Sequence, residues 1–196
     1  MRLGVLALQG DFAEHLSMLR RTGTAASEVR LPEQLDGLDG LIIPGGESTT
    51  IGKLAATFGL IEPLRRFAAH HPVWGTCAGA IFLSRDAHRD QPLLGVMDIT
   101  VERNAFGRQV DSFETDLQLP MLDDPRRPFH AVFIRAPLIA SAGKGVEILA
   151  QLPVASNQGG ARIVAARQGH LLATSFHPEL TGDDRFHRYF LSLAKA

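Results

Sequence analysis

Residues 3–8, Leu3-Gly4-Val5-Leu6-Ala7-Leu8, are apolar without interruption and stop at Gln9-Gly10-Asp11. A run that short with no polar alternation fits a strand buried on both faces, and a strand of that kind needs layers above and below it. Residues 12–21 then carry apolar side chains at Phe12, Leu16 and Leu19, a helical spacing. The same strand-to-helix unit recurs. Leu41-Ile42-Ile43 is stopped by Pro44-Gly45-Gly46, and residues 48–56 can begin a helix. Residues 61–71 read as another helix, Pro72-Val73-Trp74 as a very short strand, and residues 78–84 as the helix after it. This alternation predicts an α/β fold of three layers, a mostly parallel central sheet with helices on both faces.

From Asp98 onward the pattern changes. Ile99-Thr100-Val101, Val132-Phe133-Ile134, Ile163-Val164-Ala165-Ala166 and Leu171-Leu172-Ala173-Thr174 read as strands with Gly and Pro between them, which predicts an antiparallel extension of the sheet. Residues 186–193 close the chain as a helix. With 196 residues and 45% hydrophobic content, one well-filled core is expected, hence a single domain over 1–196.

Charge narrows the partners. A formal net charge of -1, from 20 basic and 21 acidic residues, offers no broad attraction to nucleic acid or to an anionic membrane. The one cysteine excludes an internal disulfide and argues against a thiolate zinc site, so a reducing compartment, the cytoplasm, is expected and no metal. The apolar start is too brief for a signal sequence, and no run approaches the roughly 20 apolar residues of a membrane span.

The lone cysteine stands in Gly75-Thr76-Cys77-Ala78-Gly79, a G-x-C-x-G run between an apolar strand and an apolar helix. That is the setting of a nucleophile elbow. Flanking glycines let the helix approach the strand, and a helix start favours a thiolate and leaves backbone N–H groups unpaired. Cys77 is therefore the expected nucleophile, with the Ala78 amide as an oxyanion donor. A free cysteine is otherwise most often a small buried hydrophobe. A thiol nucleophile needs a base, and the base an orienting group. Ser175-Phe176-His177-Pro178-Glu179 supplies both after an apolar run: His177 as general base, Glu179 to hold its tautomer. Pro44-Gly45-Gly46-Glu47-Ser48 ends a buried strand, and Gly46 is the expected second oxyanion donor. All three motifs fall at carboxyl ends of strands, where open parallel sheets bind ligands.

With these residues in hand the sequence resembles the class I (triad) glutamine amidotransferases, and within them the glutaminase subunits of two-component pyridoxal 5'-phosphate synthases. The resemblance runs through Gly4 to Gly10, Leu41 to Thr50, Trp74 to Gly79, Val101 to Glu114, Val132 to Pro137 and Ser175 to Thr181. The Gly45-Gly46-Glu47-Ser48-Thr49-Thr50 run and the Arg103 to Glu114 run are its most specific parts. It implies hydrolysis of L-glutamine to L-glutamate and ammonia through a Cys77 thioester. It also implies glutamine binding by Gly46, Glu47, Ser48, Arg103, Ile134 and Arg135. Those types suit an amino acid, because an Arg can meet its carboxylate and Glu47 its ammonium group. The implied partner is a barrel-type synthase subunit that combines the ammonia with ribose 5-phosphate and glyceraldehyde 3-phosphate.

No cofactor is expected, since neither a phosphate-cradling G-x-x-x-x-G-K-[ST] nor a dinucleotide fingerprint is present. Glycine flexibility at Gly45-Gly46 raises the expectation that docking switches the enzyme on, with residues 9–16 and 104–109 as docking surfaces. Two other readings stay open at this point. A stand-alone hydrolase or glyoxalase-like enzyme would act on small acyl or aldehyde substrates and not on glutamine. A non-catalytic partner protein would fail to react covalently with an electrophilic glutamine analogue.

Overall fold

The structure is a computed structural model and describes residues 1–103, 112–153 and 162–195. The expected docking loop at 104–109, part of the Arg103 to Glu114 run and most of the turn after Leu152 lie outside these residues.

Apart from a strand at residues 25–29 that was not expected, the first half is built as its apolar runs dictate. Strand β1 (Arg2–Leu6) is followed by helix α1 (Phe12–Arg21) and strand β2 (Ala25–Val29), then β3 (Gly40–Ile43), α2 (Ser48–Thr57), α3 (Ile61–Ala68), β4 (Val73–Thr76) and α4 (Ala78–Leu83). β1 pairs in parallel with β2 and β3, and β3 pairs in parallel with β4. All four residues of β3 and of β4 are buried, the pattern of strands covered on both faces.

The second half contributes β5 (Ser84–Asp86), β6 (Met97–Glu102), β7 (Ser112–Leu117), β8 (Phe129–Ile134), β9 (Leu138–Ala142), β10 (Glu147–Leu152), β11 (Arg162–Gln168), β12 (Leu171–Thr174) and α5 (Arg185–Leu193). Among the described residues the main sheet has the order β2-β1-β3-β4-β12-β11-β9-β6-β5, with β10 beside β11. Two expectations need correction. Leu171–Thr174 was expected in the antiparallel extension, yet β12 pairs in parallel with β4 and antiparallel with β11, so it is the hinge between the two halves. Its four residues are buried, as a central strand requires. Residues 132–134 do not extend the main sheet either: β8 pairs with β7 in a separate two-stranded sheet.

Side-chain alternation sends the core to both faces. Leu41 and Ile43 join Ile51, Leu64 and Phe82 from α2, α3 and α4 on one side. Ile42 and Trp74 join Leu16, Phe129, Phe176, Phe186 and Phe190 on the other, beneath α1, α5 and the small sheet. Each such fully buried side chain contributes roughly 1.5–3 kcal/mol. Trp74 stacks on Phe186 at 5.2 Å between ring centroids and donates its indole N–H to Thr174 Oγ1 at 3.1 Å, which locks α5 over the sheet centre. Among the described residues no helix is long and apolar enough to cross a membrane.

Candidate active site

The strand order brings the carboxyl ends of β1, β3, β4 and β12 to one edge, and the segments that leave those ends meet in a cleft of about 420 Å³. Gly46, Glu47, Ser48, Cys77, Ala78, Arg103, Ile134, Arg135 and His177 all line it. Glu179 does not, because it is buried behind His177.

Cys77 sits between β4 and α4 with φ 47 and ψ −107, a conformation that costs a non-glycine residue about 1–3 kcal/mol. Its neighbours hold it there. The Cys77 N–H donates to Thr174 O at 2.8 Å, tying the turn to β12. A methyl group on Gly79 would run into the Ile43 carbonyl, and one on Gly75 would lie 2.5 Å from the Gly79 backbone. The two glycines are thus what lets α4 start directly over the strand ends. Ala78 opens that helix, so its amide has no acceptor within it. The thiol lies 4.0 Å from Ile134 O, at the end of β8.

His177 follows β12, and its backbone N–H donates to Val132 O at 2.9 Å. Its Nδ1 and Glu179 Oε1 are 2.6 Å apart. Burial alone would lower the His177 pKa, but hydrogen bonding and charge from Cys77 and Glu179 outweigh it and raise it. The imidazolium is therefore favoured beside the sulfur. Burial raises the Glu179 pKa, and the hydrogen bond with His177 offsets only part of that rise.

One relationship had no counterpart in the sequence motifs. Asp11 Oδ2, in the turn after β1, is 3.4 Å from His177 Nδ1 and so approaches the nitrogen that Glu179 already holds. Asp11, His177 and Glu179 are the one group of potential metal ligands among the described residues. Within that group, His177 Nδ1 and Glu179 Oε1 are hydrogen-bonded to each other. Gln9, Gly10 and Asp11 all line the cleft. Their position at the carboxyl end of a buried strand was the signal that marks them.

The loop after β3 is fastened at both ends. Gly45 O accepts the Asp11 N–H at 3.2 Å, and Gln9 Oε1 accepts the Glu47 N–H at 2.7 Å. Gly46 has φ 148, open to glycine and strained for other residues. Glu47 caps α2 by accepting the Thr49 and Thr50 N–H groups at 3.2 and 2.7 Å. Arg103 donates to Glu47 Oε1 at 2.8 Å and to Thr49 Oγ1 at 3.1 Å. Burial pushes the Glu47 carboxyl up, but the bonds from Thr50, Thr49 and Arg103 bring it to about 2. Arg135, exposed at the rim, adopts φ 43.

Residues 5–195 match the family model described as the SNO glutamine amidotransferase family. The chain is 60% identical to a "Pyridoxal 5'-phosphate synthase subunit PdxT" of Herpetosiphon aurantiacus, over 98% of this chain and 100% of that one. It is 56% identical to the protein of the same name from Thermus thermophilus, over 98% and 97%. A solved structure titled "Crystal structure of glutamine amidotransferase" superposes with a TM-score of 0.90 at 53% identity, covering 99% of both chains. The PurLQS structure from Thermotoga maritima shares the fold at 14% identity, with a TM-score of 0.69 over 97% of each chain. On that match across almost its whole length, the chain belongs to the SNO glutamine amidotransferase family.

Proposed function

We propose that this chain is the glutaminase subunit of a pyridoxal 5'-phosphate synthase, one catalytic domain over residues 1–196 working in the cytoplasm. The observation that carries the reading is the convergence of Cys77 and His177 in one cleft, with Glu179 on the far nitrogen of the imidazole. The name of the PdxT relatives supports the biosynthetic assignment. The single cysteine accords with a reducing compartment.

In the proposed course the Cys77 thiolate attacks the side-chain carbonyl carbon of L-glutamine. The oxyanion is met by the amides of Ala78 and Gly46. The C–N bond breaks as His177 gives its proton to the departing ammonia, leaving a thioester. His177 then takes a proton from water, which attacks the thioester and releases L-glutamate. Glu179 keeps the ring in the tautomer that presents the other nitrogen to sulfur. Glu47, Ser48, Arg103, Ile134 and Arg135 are assigned to glutamine. Arg135 is the exposed cation at the rim, whereas Arg103 is already shared with Glu47 and acts by shaping that wall.

The ammonia goes to a barrel-type synthase subunit, which joins it to ribose 5-phosphate and glyceraldehyde 3-phosphate. Docking is proposed to switch the enzyme on. The bond from the Asp11 N–H to Gly45 O supports a Gly45–Gly46 peptide held in one orientation until a partner turns it, while Gln9 keeps Glu47 in place. Steady-state glutaminase rates with and without the synthase subunit test this, and equal rates rule the switch out. A diazo-ketone glutamine analogue should label Cys77 in the complex, and no labelling there would overturn the enzymatic reading.

A further inference from the structure

Behind the cleft, Glu179 is the end of a longer buried chain of polar atoms. Its Oε2 accepts no hydrogen bond. His15 Nε2, on α1, lies 3.3 Å from it, within ion-pair distance though off hydrogen-bond alignment, and 3.2 Å from Thr76 Oγ1. The other nitrogen of that ring, Nδ1, is 3.0 Å from His187 Nε2 on α5. Both rings have 0% exposure and are walled by Trp74 at 5.7 and 5.0 Å. His187 Nδ1 is without a partner.

The proton inventory of this chain has two solutions. If His15 donated from Nδ1, its bare Nε2 would face a carboxylate oxygen, and His187 would carry a buried N–H with nothing to accept it. If His187 donates from Nε2, His15 carries its proton on Nε2, pointed at Thr76 and Glu179, and the only orphan is a lone pair on His187 Nδ1. The second arrangement replaces a repulsion with an attraction and leaves the cheaper orphan. Burial holds both rings neutral, which this arrangement requires.

We propose that His15, with its tautomer set by His187, is a positioning residue that holds the Glu179 carboxylate through Oε2 while Oε1 orients the catalytic imidazole. The inference rests on the glutaminase reading of Cys77, His177 and Glu179. A buried carboxylate needs donors on both oxygens to remain charged as the imidazolium forms. From the elements packed around it, Glu179 is faced by His177 and, unfavourably, by the charge of Asp11, with His15 Nε2 3.3 Å from its Oε2. His15 is faced by His187 and His177, and His187 by Asp184.

The test uses the complex with the synthase subunit and measures glutaminase kcat, KM and the pH profile. His15→Leu should lower kcat roughly 10-fold to 100-fold, below the full contribution of a general base, with KM little changed. Losing a donor to the carboxylate makes Glu179 easier to protonate, so the acid limb of the kcat profile should move to higher pH. His15→Gln, whose side-chain amide reaches the Nε2 position, should restore most of the rate and the original limb. His187→Leu, which frees the His15 tautomer, should move both in the direction of His15→Leu, and it stands as the test should His15→Leu fail to fold. Equal losses in His15→Leu and His15→Gln with an unmoved acid limb mean a packing role and overturn the inference, as does a parental rate in every variant. A parental complex that releases no ammonia from glutamine sinks the glutaminase reading and this inference together.

Discussion

Gln9 Oε1 accepts the backbone N–H of Glu47 at 2.7 Å, so a side chain in the turn after β1 sets the position of the loop that follows β3. The contact is tight enough that a methyl group on Gly46 would collide with the same oxygen. Gln9→Ala removes an acceptor from a partly buried amide, a loss of roughly 1 kcal/mol or slightly more. If the loop supplies an oxyanion donor, that loss falls on the transition state, and kcat/KM for glutamine should drop about tenfold. An unchanged kcat/KM in the synthase complex would show that the clamp has no part in catalysis.

The triad reading predicts an order of losses. Cys77→Ala removes the only thiol and should leave no measurable ammonia release and no covalent label. Glu179→Gln keeps the size of the side chain but no longer holds the His177 tautomer, and kcat should fall on the order of 10²–10⁴-fold. Steady-state rates on the complex measure both. A Glu179→Gln enzyme as dead as Cys77→Ala would mean that the carboxylate does more than orient.

Gly79 is predicted to be a folding position as much as a catalytic one. Its α-carbon faces the Ile43 carbonyl so closely that any side chain must displace β3 or α4, and both are buried. Gly79→Ala should cost roughly 1–3 kcal/mol by overpacking and lower Tm by several degrees. Thermal unfolding followed by circular dichroism reads this directly. A Tm within a degree of the parent would mean that the helix start yields without strain.

The contrast between Gly79 and His15 shows what the sequence made legible. The elbow could be read because its cause is local: glycines two residues to either side of Cys77, between a strand and a helix, serve one close approach. His177 and Glu179 could be read for the same reason, being two residues apart. His15 and His187 could not, because their contact spans 172 residues and two helices, and each alone reads as an ordinary core histidine. Strand β2 was not expected because its edge position leaves an Ala-Ala-Ser-Glu-Val run of small and polar residues in which only Val29 is buried. The place of β12 followed from tertiary pairing with β4, which no local pattern records. Asp11 lay within the residues considered for docking, yet its approach to His177 depends on the order of β1 and β12 in the sheet.

The buried histidines also predict how stability responds to acid. The pKa of His187 is lowered by burial to about 3, and that of His15 is lowered by burial and by the nearby His187 and His177. For a base whose folded pKa lies below its unfolded value near 6.5, the unfolded chain takes up the proton first. Stability is then fully present above pH 6.5 and is lost as pH falls toward the folded pKa. Between pH 6.5 and 5, His187 alone should cost roughly 1.5 kcal/mol, since the slope reaches its full 1.36 kcal/mol per pH unit only below pH 6.5, and His15 adds in the same direction. His177 works in another window: its raised pKa contributes stability that is present below pH 6.5 and lost as pH rises through its folded value. Glu47, at about 2, contributes stability above its unfolded value near 4.5 and does not change between pH 5 and 6.5. His130, whose pKa is raised by Glu114 and Asp116, opposes the trend only weakly because it is fully exposed. Urea unfolding at pH 5 and pH 6.5 should therefore show a clear acid loss in the parent chain and a smaller one in His187→Leu. Equal losses in the two proteins would mean that His187 is hydrated or already charged in the folded state.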